Sequence, residues 1–262
     1  MTFRILMLGD IIGRPGRRAV REKLPDIIKK NEVDFVVANG ENASGGKGLV
    51  ESAAKDLFSS GIDVLTSGNH IWNKKEIFSF IDKYPQILRP ANFPDNISGH
   101  GSYIFEQKKK NIKVGIINLI GRVFMSPVDS PFTKAVTEIE KLKSSGADII
   151  IMDFHAEATA EKEALGFYLA DKIELFAGTH THVQTSDEKI LSGRCGYITD
   201  LGRCGSFNSV LGFEKEDSIK GYLTNIPQSF TPAKEDLVIE GIIAEFDEVS
   251  RKCTEIKRIR EF

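Results

Sequence analysis

Short apolar runs rich in branched aliphatic residues recur along the chain, and turn-forming residues separate them. Runs of this length and composition predict buried strands. We predict strands at residues 4–8, 34–38, 64–66, 113–118, 148–152, 173–177 and 237–246. Between the early runs, three segments of helical length carry apolar residues on one face, at residues 17–30, 52–60 and 74–82. The alternation of strands and helices predicts an α/β fold in which helices cover a sheet.

The later part of the chain shows a different pattern. The C-terminal third holds more strand than helix, which predicts additional antiparallel strands. Residues 108–111 (Lys-Lys-Lys-Asn) predict a turn between strands at 103–107 and 112–118. No linker rich in Pro, Gly or Ser is long enough to divide the chain, so we expect one domain over residues 1–262.

Composition narrows the possible functions. The 262 residues are 41% hydrophobic and 27% charged, as in ordinary globular proteins. The net charge of -2 excludes a global basic field for nucleic acid but not a local basic patch. The three cysteines form no Cys-x-x-Cys pair, which argues against a disulfide scaffold or a thiolate zinc site. No apolar stretch is long enough to span a bilayer, and no signal peptide is evident, so we expect a cytoplasmic protein without a membrane partner.

Side chains that can bind metals or move protons follow five of the predicted strands. Four of the five histidines lie at these positions, beside carboxylates and carboxamides. In open α/β sheets, ligands bind beyond the carboxyl ends of the strands, so we expect these side chains to meet. The candidate metal ligands are Asp10, Glu41, Asn42, Asn69, His155, His180 and His182.

Seven ligands are too many for one catalytic ion with an open position, but two ions could share them through a bridging carboxylate. Imidazole, carboxylate and carboxamide ligands without thiolate favour Fe, Mn or Zn. Two such ions hold a bridging hydroxide and stabilise an in-line displacement at phosphorus. His70 directly follows Asn69 and is a candidate general acid; alternatively, it only orients another group by a hydrogen bond.

Other motifs are weaker. Residues 44–48 (Ser-Gly-Gly-Lys-Gly) look like a phosphate loop, but the Walker pattern needs Gly in place of Glu41 and Ser or Thr in place of Gly48. Arg122 is a candidate for binding a substrate phosphate, with a surface salt bridge as the alternative. We expect the second ring nitrogen of His155 to donate to a fixed acceptor, either a carboxylate of Asp153 or Glu157 or a backbone oxygen.

Four motifs occur in order along the chain: Gly9-Asp10, Gly68-Asn69-His70, a lone His155 and Gly178-Thr179-His180-Thr181-His182. They resemble the motifs of the calcineurin-like metallophosphoesterases. More closely, nearly the whole chain resembles the YmdB-like branch of bacterial phosphodiesterases. Two departures from the broad superfamily are shared with this branch: Ile12 replaces a histidine, and Glu41 replaces the bridging aspartate. The matching segments are 9–16 (Gly-Asp-Ile-Ile-Gly-Arg-Pro-Gly), 39–43 (Asn-Gly-Glu-Asn-Ala), 89–94 (Arg-Pro-Ala-Asn-Phe-Pro), 153–159 (Asp-Phe-His-Ala-Glu-Ala-Thr) and 178–185 (Gly-Thr-His-Thr-His-Val-Gln-Thr).

The resemblance implies a four-layer α-β-β-α sandwich with mixed sheets and two metal ions, most often iron, with manganese or zinc as alternatives. His70 matches the family's catalytic acid, and Glu41 would bridge the ions. The implied activity is hydrolysis of phosphodiesters, notably 2′,3′- and 3′,5′-cyclic nucleotides. One ion would take Asp10, Glu41, Asn42 and His182, and the other Glu41, Asn69, His155 and His180.

Two other functions stay open at this point. The same metals could serve a phosphomonoesterase. Alternatively, the protein could be a regulatory binding protein that senses a nucleotide or scaffolds an RNA-processing partner, with slow turnover. The sequence leaves the physiological substrate and a possible homo-oligomer undecided.

Overall fold

In the computed structural model, which describes residues 2–262, the chain forms twelve strands and five α-helices. The strands are β1 (Thr2–Ile11), β2 (Phe35–Asn39), β3 (Val64–Thr66), β4 (Ser102–Gln107), β5 (Ile112–Ile120), β6 (Ile149–His155), β7 (Leu175–Thr179), β8 (Lys189–Leu191), β9 (Cys195–Ile198), β10 (Arg203–Ser206), β11 (Leu237–Asp247) and β12 (Cys253–Glu261). The helices are α1 (Gly13–Asn31), α2 (Glu51–Ser59), α3 (Pro131–Ser144), α4 (Thr159–Leu169) and α5 (Lys215–Thr224).

The strands form two six-stranded mixed sheets. The first has the order β12-β11-β10-β1-β2-β3, and the second has the order β4-β5-β6-β7-β9-β8. Strands β1, β2 and β3 are parallel, as are β5, β6, β7 and β9. Strand β11 runs antiparallel to β1 and β12, as the strand-rich C-terminal third predicts. The parallel strands direct their carboxyl ends to one edge of each sheet.

Three apolar cores separate four layers. Along β1, Ile5 and Met7 pack between the two sheets, whereas Leu6 and Leu8 pack against α1 and α2. A third core joins the outer face of the second sheet to α3 and α4. Both faces of the central strands are buried, which is why their sequences are continuous apolar runs. This arrangement confirms the predicted four-layer α-β-β-α sandwich.

The predicted helix over residues 74–82 is wrong. The chain forms three short 3-10 turns instead, at Ile71–Asn73, Lys75–Ser79 and Ile81–Lys83, and Lys74 between the first two is extended. Isoleucine and phenylalanine occupy four of the five positions 77–81, and both lose side-chain freedom in a helix. The broken segment lets Trp72 stack on Phe78, with ring centroids 5.0 Å apart. None of the helices within residues 2–262 has both the length and the apolarity needed to cross a membrane.

Candidate metal centre

The structure brings all seven candidate ligands and His70 to one edge of the sandwich, where strands of both sheets end. The first sheet supplies one residue from β1, two that follow β2 and two that follow β3. The second sheet supplies the last residue of β6 and two that follow β7. In chain order these residues are Asp10, Glu41, Asn42, Asn69, His70, His155, His180 and His182.

One group of ligand atoms surrounds Nε2 of His155. This nitrogen lies 3.0 Å from Oδ1 of Asn69, 3.0 Å from Nδ1 of His180 and 3.2 Å from Oε1 of Glu41. The ligand atoms of Glu41, His155 and His180 all lie within 4.8 Å of one another. Together with Asn69, these three residues form the set that the resemblance implies for one of the two ions.

A second group shares Glu41 with the first. The Asn42 carboxamide nitrogen lies 3.2 Å from Oε1 of Glu41 and 3.3 Å from Nε2 of His182. Oδ1 of Asp10 lies 3.7 Å from the same His182 nitrogen. Rotating the Asn42 amide by 180° would place its oxygen among these acceptor atoms, which is the orientation that binds a cation. This set corresponds to the other implied ion.

Each of the three candidate imidazole ligands has one nitrogen held by an acceptor outside these groups. Nδ1 of His155 lies 2.9 Å from Oγ1 of Thr179, and Nδ1 of His182 lies 3.1 Å from the carbonyl oxygen of Leu211. Nε2 of His180 lies 3.1 Å from a Glu157 carboxylate oxygen. When the held nitrogen carries the proton, the other nitrogen presents its lone pair to the cluster, as metal ligands require.

The acceptor for His155 differs from the ones we expected. It is the Thr179 hydroxyl, and neither Asp153, Glu157 nor a backbone oxygen contacts Nδ1 directly. The Thr179 hydroxyl in turn donates to Asp153, at 2.7 Å. The Asp153 carboxylate therefore acts through the hydroxyl, because the hydroxyl can accept from His155 only if its own hydrogen points elsewhere.

Burial and neighbouring charges shift the pKa values of several residues in the cluster. Burial, reinforced by the charges of Glu41 and Asp200, raises the pKa of Asp10 to about 8, although His155 opposes the shift. Burial alone would lower the pKa of His155, but the carboxylates of Glu41, Asp10 and Asp153 raise it to about 9. Burial lowers the pKa of His180 to about 3 and that of His182 to about 4, so both rings are neutral at pH 7.

The pKa of Glu41 shows that the buried carboxylates depend on a neighbouring positive charge. Burial disfavours its carboxylate, but His155, through charge and a hydrogen bond, and then His70 lower the pKa of Glu41 well below its usual range. The proton on His155 thus supplies the positive charge that the buried carboxylates need. A metal cation can replace that proton, because it is attracted by the same carboxylates and bound by the freed imidazole nitrogen.

An orphaned oxygen atom tests whether this donor set fits metal ions. Oδ1 of Asp10 is buried and has no hydrogen-bond partner among residues 2–262, whereas Oδ2 accepts the backbone NH of His180 at 3.1 Å. A buried carboxylate oxygen without a partner is costly unless a cation lies beside it. The orphaned oxygen and the convergent lone pairs fit two cations that share Glu41.

The segment that carries His180 and His182 is held in an unusual backbone conformation. Both residues have positive φ, 101° and 61°, which costs non-glycine residues about 1–3 kcal/mol. Between them, the backbone NH and hydroxyl of Thr181 donate to Asp200, at 3.1 and 2.8 Å. Asp200 is fully buried and pairs with the equally buried Lys162 at 2.8 Å. This buried pair fixes the loop that presents the two imidazoles.

A close approach of backbone to imidazole explains the glycine of the Gly-Asn-His motif. A Cβ atom on Gly68 would lie 2.1 Å from Cδ2 of the His155 ring. Any side chain at this position would therefore displace either His155 or the chain that leads to Asn69.

A cavity of about 390 Å³ opens beside the cluster, and His70 faces it with 26% of its side chain exposed. Lys47 is a cation on its wall, and Phe213 and Phe230 lie with ring centroids 5.8 Å apart. The sequence drew attention to Lys47 only through the rejected phosphate-loop motif. The lining residues include Asn42, Lys47, His70, His180, His182, Phe213, Tyr222 and Phe230.

Arg122 is the one predicted site residue that belongs neither to the ligand cluster nor to the lining of this cavity. Its side chain is exposed, and its backbone NH donates to Glu161 at 2.9 Å. Among residues 2–262 the Arg122 side chain forms no salt bridge either. Lys47 is therefore the better placed cation for a bound phosphate.

Comparisons with known proteins agree over almost the whole chain. The model of the YmdB-like protein family matches residues 6–259. A 2′,3′-cyclic-nucleotide 2′-phosphodiesterase from Bacillus subtilis (strain 168) is 44% identical over 258 residues, covering 98% of this chain and 96% of the relative. The crystal structure of a phosphatase from Mycoplasma pneumoniae is 32% identical, with a TM-score of 0.92 over 100% of this chain and 94% of that one.

A more distant structure shows the fold alone. A 5′-nucleotidase precursor from Thermus thermophilus is 13% identical, with a TM-score of 0.59, and the match covers 99% of this chain and 54% of the nucleotidase chain. The predicted metallophosphoesterase fold is confirmed, and so is the prediction of a hydrolytic enzyme, because the relatives are named phosphodiesterase or phosphatase. The chain belongs to the YmdB-like family.

Proposed function

We propose that this protein hydrolyses 2′,3′-cyclic nucleotides, and 3′,5′-cyclic nucleotides as a further substrate class, at a centre of two metal ions. The observation that carries the proposal is the pair of ligand groups that share Glu41 beside a cavity of nucleotide size. The 2′,3′-cyclic nucleotide activity named for the Bacillus subtilis relative supports the first substrate class.

The residues suggest which ligands each ion would use. Asp10, Asn42 and His182 would hold one ion, Asn69, His155 and His180 would hold the other, and Glu41 would contact both. When bound, the ions would activate water for attack at phosphorus and neutralise the charge of the phosphate. The ligand set contains imidazole, carboxylate and carboxamide but no thiolate, which suits iron, manganese or zinc. The family resemblance favours iron among these metals.

His70 is the proposed general acid. Its Nδ1 lies 3.3 Å from Oε1 of Glu41 and within hydrogen-bond distance of the Asn42 carboxamide, so Nε2 is the nitrogen left to face a substrate. A proton delivered from Nε2 to the leaving ribose oxygen would complete the cleavage. Release of the 2′ oxygen from a 2′,3′-cyclic nucleotide would leave a 3′-phosphate.

The cavity wall suits a nucleoside phosphate better than a small phosphate ester. The Lys47 ammonium can pair with phosphate oxygens, while Phe213, Phe230 and the exposed Tyr222 offer ring faces on which a base can stack. The cavity of about 390 Å³ lies within the usual size range of small-molecule sites.

A substrate comparison with metal analysis tests the activity. Anaerobically purified protein should contain two ions per chain and should convert 2′,3′-cyclic AMP to the 3′-phosphate with a higher kcat/KM than it shows for nitrophenyl phosphate. The Glu41→Gln variant should bind both ions more weakly, because a neutral amide bridges two cations poorly. Preference for the phosphomonoester would favour a phosphomonoesterase, and nucleotide binding without turnover in metal-replete protein would favour a regulatory role.

A second variant tests the ligand assignment. His155→Ala should remove mainly the ion that Asn69 and His180 share, and excess metal should restore activity only in part. His100→Ala provides the matched control, because His100 is exposed and lies outside the cluster. Two tightly held ions in His155→Ala would mean that His155 is not a ligand and instead either orients a ligand by a hydrogen bond or belongs to the substrate pocket.

A further inference from the structure

A second cavity, the basic groove, lies beside the loop of residues 42–48. It has a volume of about 720 Å³ and runs along the first turns of α1 toward the segment after α5. Glu235 is the one carboxylate among its lining residues. Six cationic side chains line it: Arg14, Arg17, Arg18, Arg21, Lys74 and Lys234.

Three of these six cations form no ion pair within residues 2–262 and are free to bind an anion, whereas the other three are already paired. Arg17 and Arg21 approach the Asp56 carboxylate, at 3.1 and 3.6 Å. The side chains of Arg14, Lys74 and Lys234 are exposed and form no ion pair within residues 2–262. The chain as a whole carries a net charge of -2, so the groove concentrates positive charge that the overall composition conceals. Such a local field attracts polyanions.

The basic groove and the cavity at the metal centre share a wall. Asn42 and Lys47 face the cavity, whereas Ser44 and Gly45 of the same loop face the groove. On another wall, Phe230 lines the cavity and the next two residues line the groove.

The groove also includes a residue from the segment that follows the proposed general acid. Lys74 lies four residues after His70 and packs against Gly48, where a Cβ atom would be 2.9 Å from the Lys74 backbone nitrogen. A polyanion with its end at the metal centre can therefore continue past Lys47 and Lys74 into the groove.

We propose that the basic groove binds the phosphate backbone of an RNA strand whose 3′ terminus, a 2′,3′-cyclic phosphate, lies at the metal centre. This end group forms when a ribose 2′ oxygen attacks the adjacent phosphorus and expels the 5′ oxygen of the next nucleotide, so it first arises on a strand. Lysine and arginine contacts to backbone phosphates are independent of sequence. Hydrolysis of the end group rests on the proposed function, but binding of the strand does not.

A binding experiment tests the groove without any turnover. The probe is a fluorescein-labelled RNA octamer with a 3′-phosphate end, titrated into metal-free protein and followed by anisotropy. Arg14→Ala/Lys74→Ala/Lys234→Ala should bind at least about tenfold more weakly than the unsubstituted protein. Lys108→Ala/Lys109→Ala/Lys143→Ala removes the same charge at exposed positions outside the groove and should bind like the unsubstituted protein.

Salt dependence supplies a second readout. If the three free cations contact phosphates, raising the salt concentration from about 50 to about 200 mM should weaken binding roughly 20-fold. The groove variant should lose most of this dependence, and the control variant should keep it. Equal affinity and equal salt dependence in both triple variants would overturn the proposal.

Turnover separates this proposal from the function on which it rests. The unsubstituted protein should have a higher kcat/KM for an octamer with a 2′,3′-cyclic phosphate than for 2′,3′-cyclic AMP, and the groove variant should lose only the octamer's advantage. Absence of turnover on both substrates with groove-dependent RNA binding would refute the proposed activity alone. Turnover of both with equal kcat/KM would refute the role of the groove alone.

Discussion

At the scale of single residues, each of the three candidate imidazole ligands has one ring nitrogen that faces away from the cluster. The hydrogen-bond partner of that nitrogen decides whether the other nitrogen can bind a metal. His155 is fully buried, and the Thr179 hydroxyl holds its Nδ1 while Asp153 accepts the hydroxyl hydrogen. This chain of hydrogen bonds fixes the ring and directs Nε2 toward Glu41 and Asn69. A single substitution of Thr179 can therefore remove the hydroxyl from this series of hydrogen bonds and nearly keep the shape of the side chain.

We predict that Thr179→Val weakens metal binding by roughly 10- to 100-fold, because the His155 tautomer loses its acceptor. Valine has nearly the shape of threonine, so the fold should persist. Competition with a chelator of known affinity would measure the change. Thr179→Ser keeps the hydroxyl and is the control. Equal metal affinity in the valine and serine variants would show that the hydroxyl does not orient the ligand.

His70 permits a prediction that separates chemistry from metal binding. His70→Ala should keep both ions and lose rate by roughly 10²–10⁴ on cyclic nucleotides, whose alkoxide leaving group needs a proton. The loss should be much smaller for a nitrophenyl phosphodiester, because nitrophenolate leaves without protonation. Steady-state kinetics on both substrates would measure the difference. An equal loss on both would assign His70 to orientation or phosphate binding.

At the scale of elements, the strand ends explain why the centre could be predicted from the sequence. A buried parallel strand is a continuous apolar run, so the polar residue that ends it is easy to recognise, as with Asp10 after residues 4–8. Because the parallel strands end at one edge, residues as distant as Asp10 and His180 come within hydrogen-bond distance. The sequence pattern was therefore enough to group the candidate ligands.

The rest of the site depends on contacts that no local pattern records. Phe213 and Phe230 reach the cavity from loops around α5, and nothing in their spacing relates them to the metal ligands. Asp200 does follow a strand, β9, but only the structure shows that it holds Thr181. The segment of residues 74–82 has helical periodicity, yet packing around Trp72 and its neighbours breaks it into short turns.

The loop after β7 gives a prediction at this scale. Lys162→Met keeps the apolar stem but leaves Asp200 buried without its countercharge, so unfolding in urea should require about 3–5 kcal/mol less free energy. Lys55→Met is the control, because Lys55 pairs with Glu51 at an exposed position, where solvent screens the pair, and its loss should lower the stability far less than Lys162→Met does.

A compensating variant checks the mechanism of that loss. Lys162→Met/Asp200→Asn removes both charges and should recover part of the lost stability, because no buried charge is then unpaired. A double variant less stable than Lys162→Met would instead assign the effect to the hydrogen bonds that Asp200 accepts from Thr181.

At the scale of the whole molecule, the centre joins the two halves of the sandwich. Asp10, Glu41 and Asn69 extend from the first sheet, and His155 and His180 extend from the second. The pairing of His155 with Glu41 at 3.2 Å is a polar link across this junction. Ions held by ligands from both sheets would bind the assembled sandwich and not the unfolded chain, so metal binding should stabilise the entire fold.

We predict that metal loading raises the midpoint of thermal unfolding and that a free metal concentration about 100 times Kd adds about 2.7 kcal/mol for each ion bound. Scanning calorimetry with and without Mn²⁺, after chelator treatment, would measure the shift. His182→Ala should lose part of it, because one ion would lose a ligand, and Glu41→Gln should lose most of it, because Glu41 lies in both ligand groups. His100→Ala, at an exposed position, should keep the full shift. A full shift in Glu41→Gln would mean that the stabilising metal binds elsewhere and that the two ligand groups do not share this carboxylate.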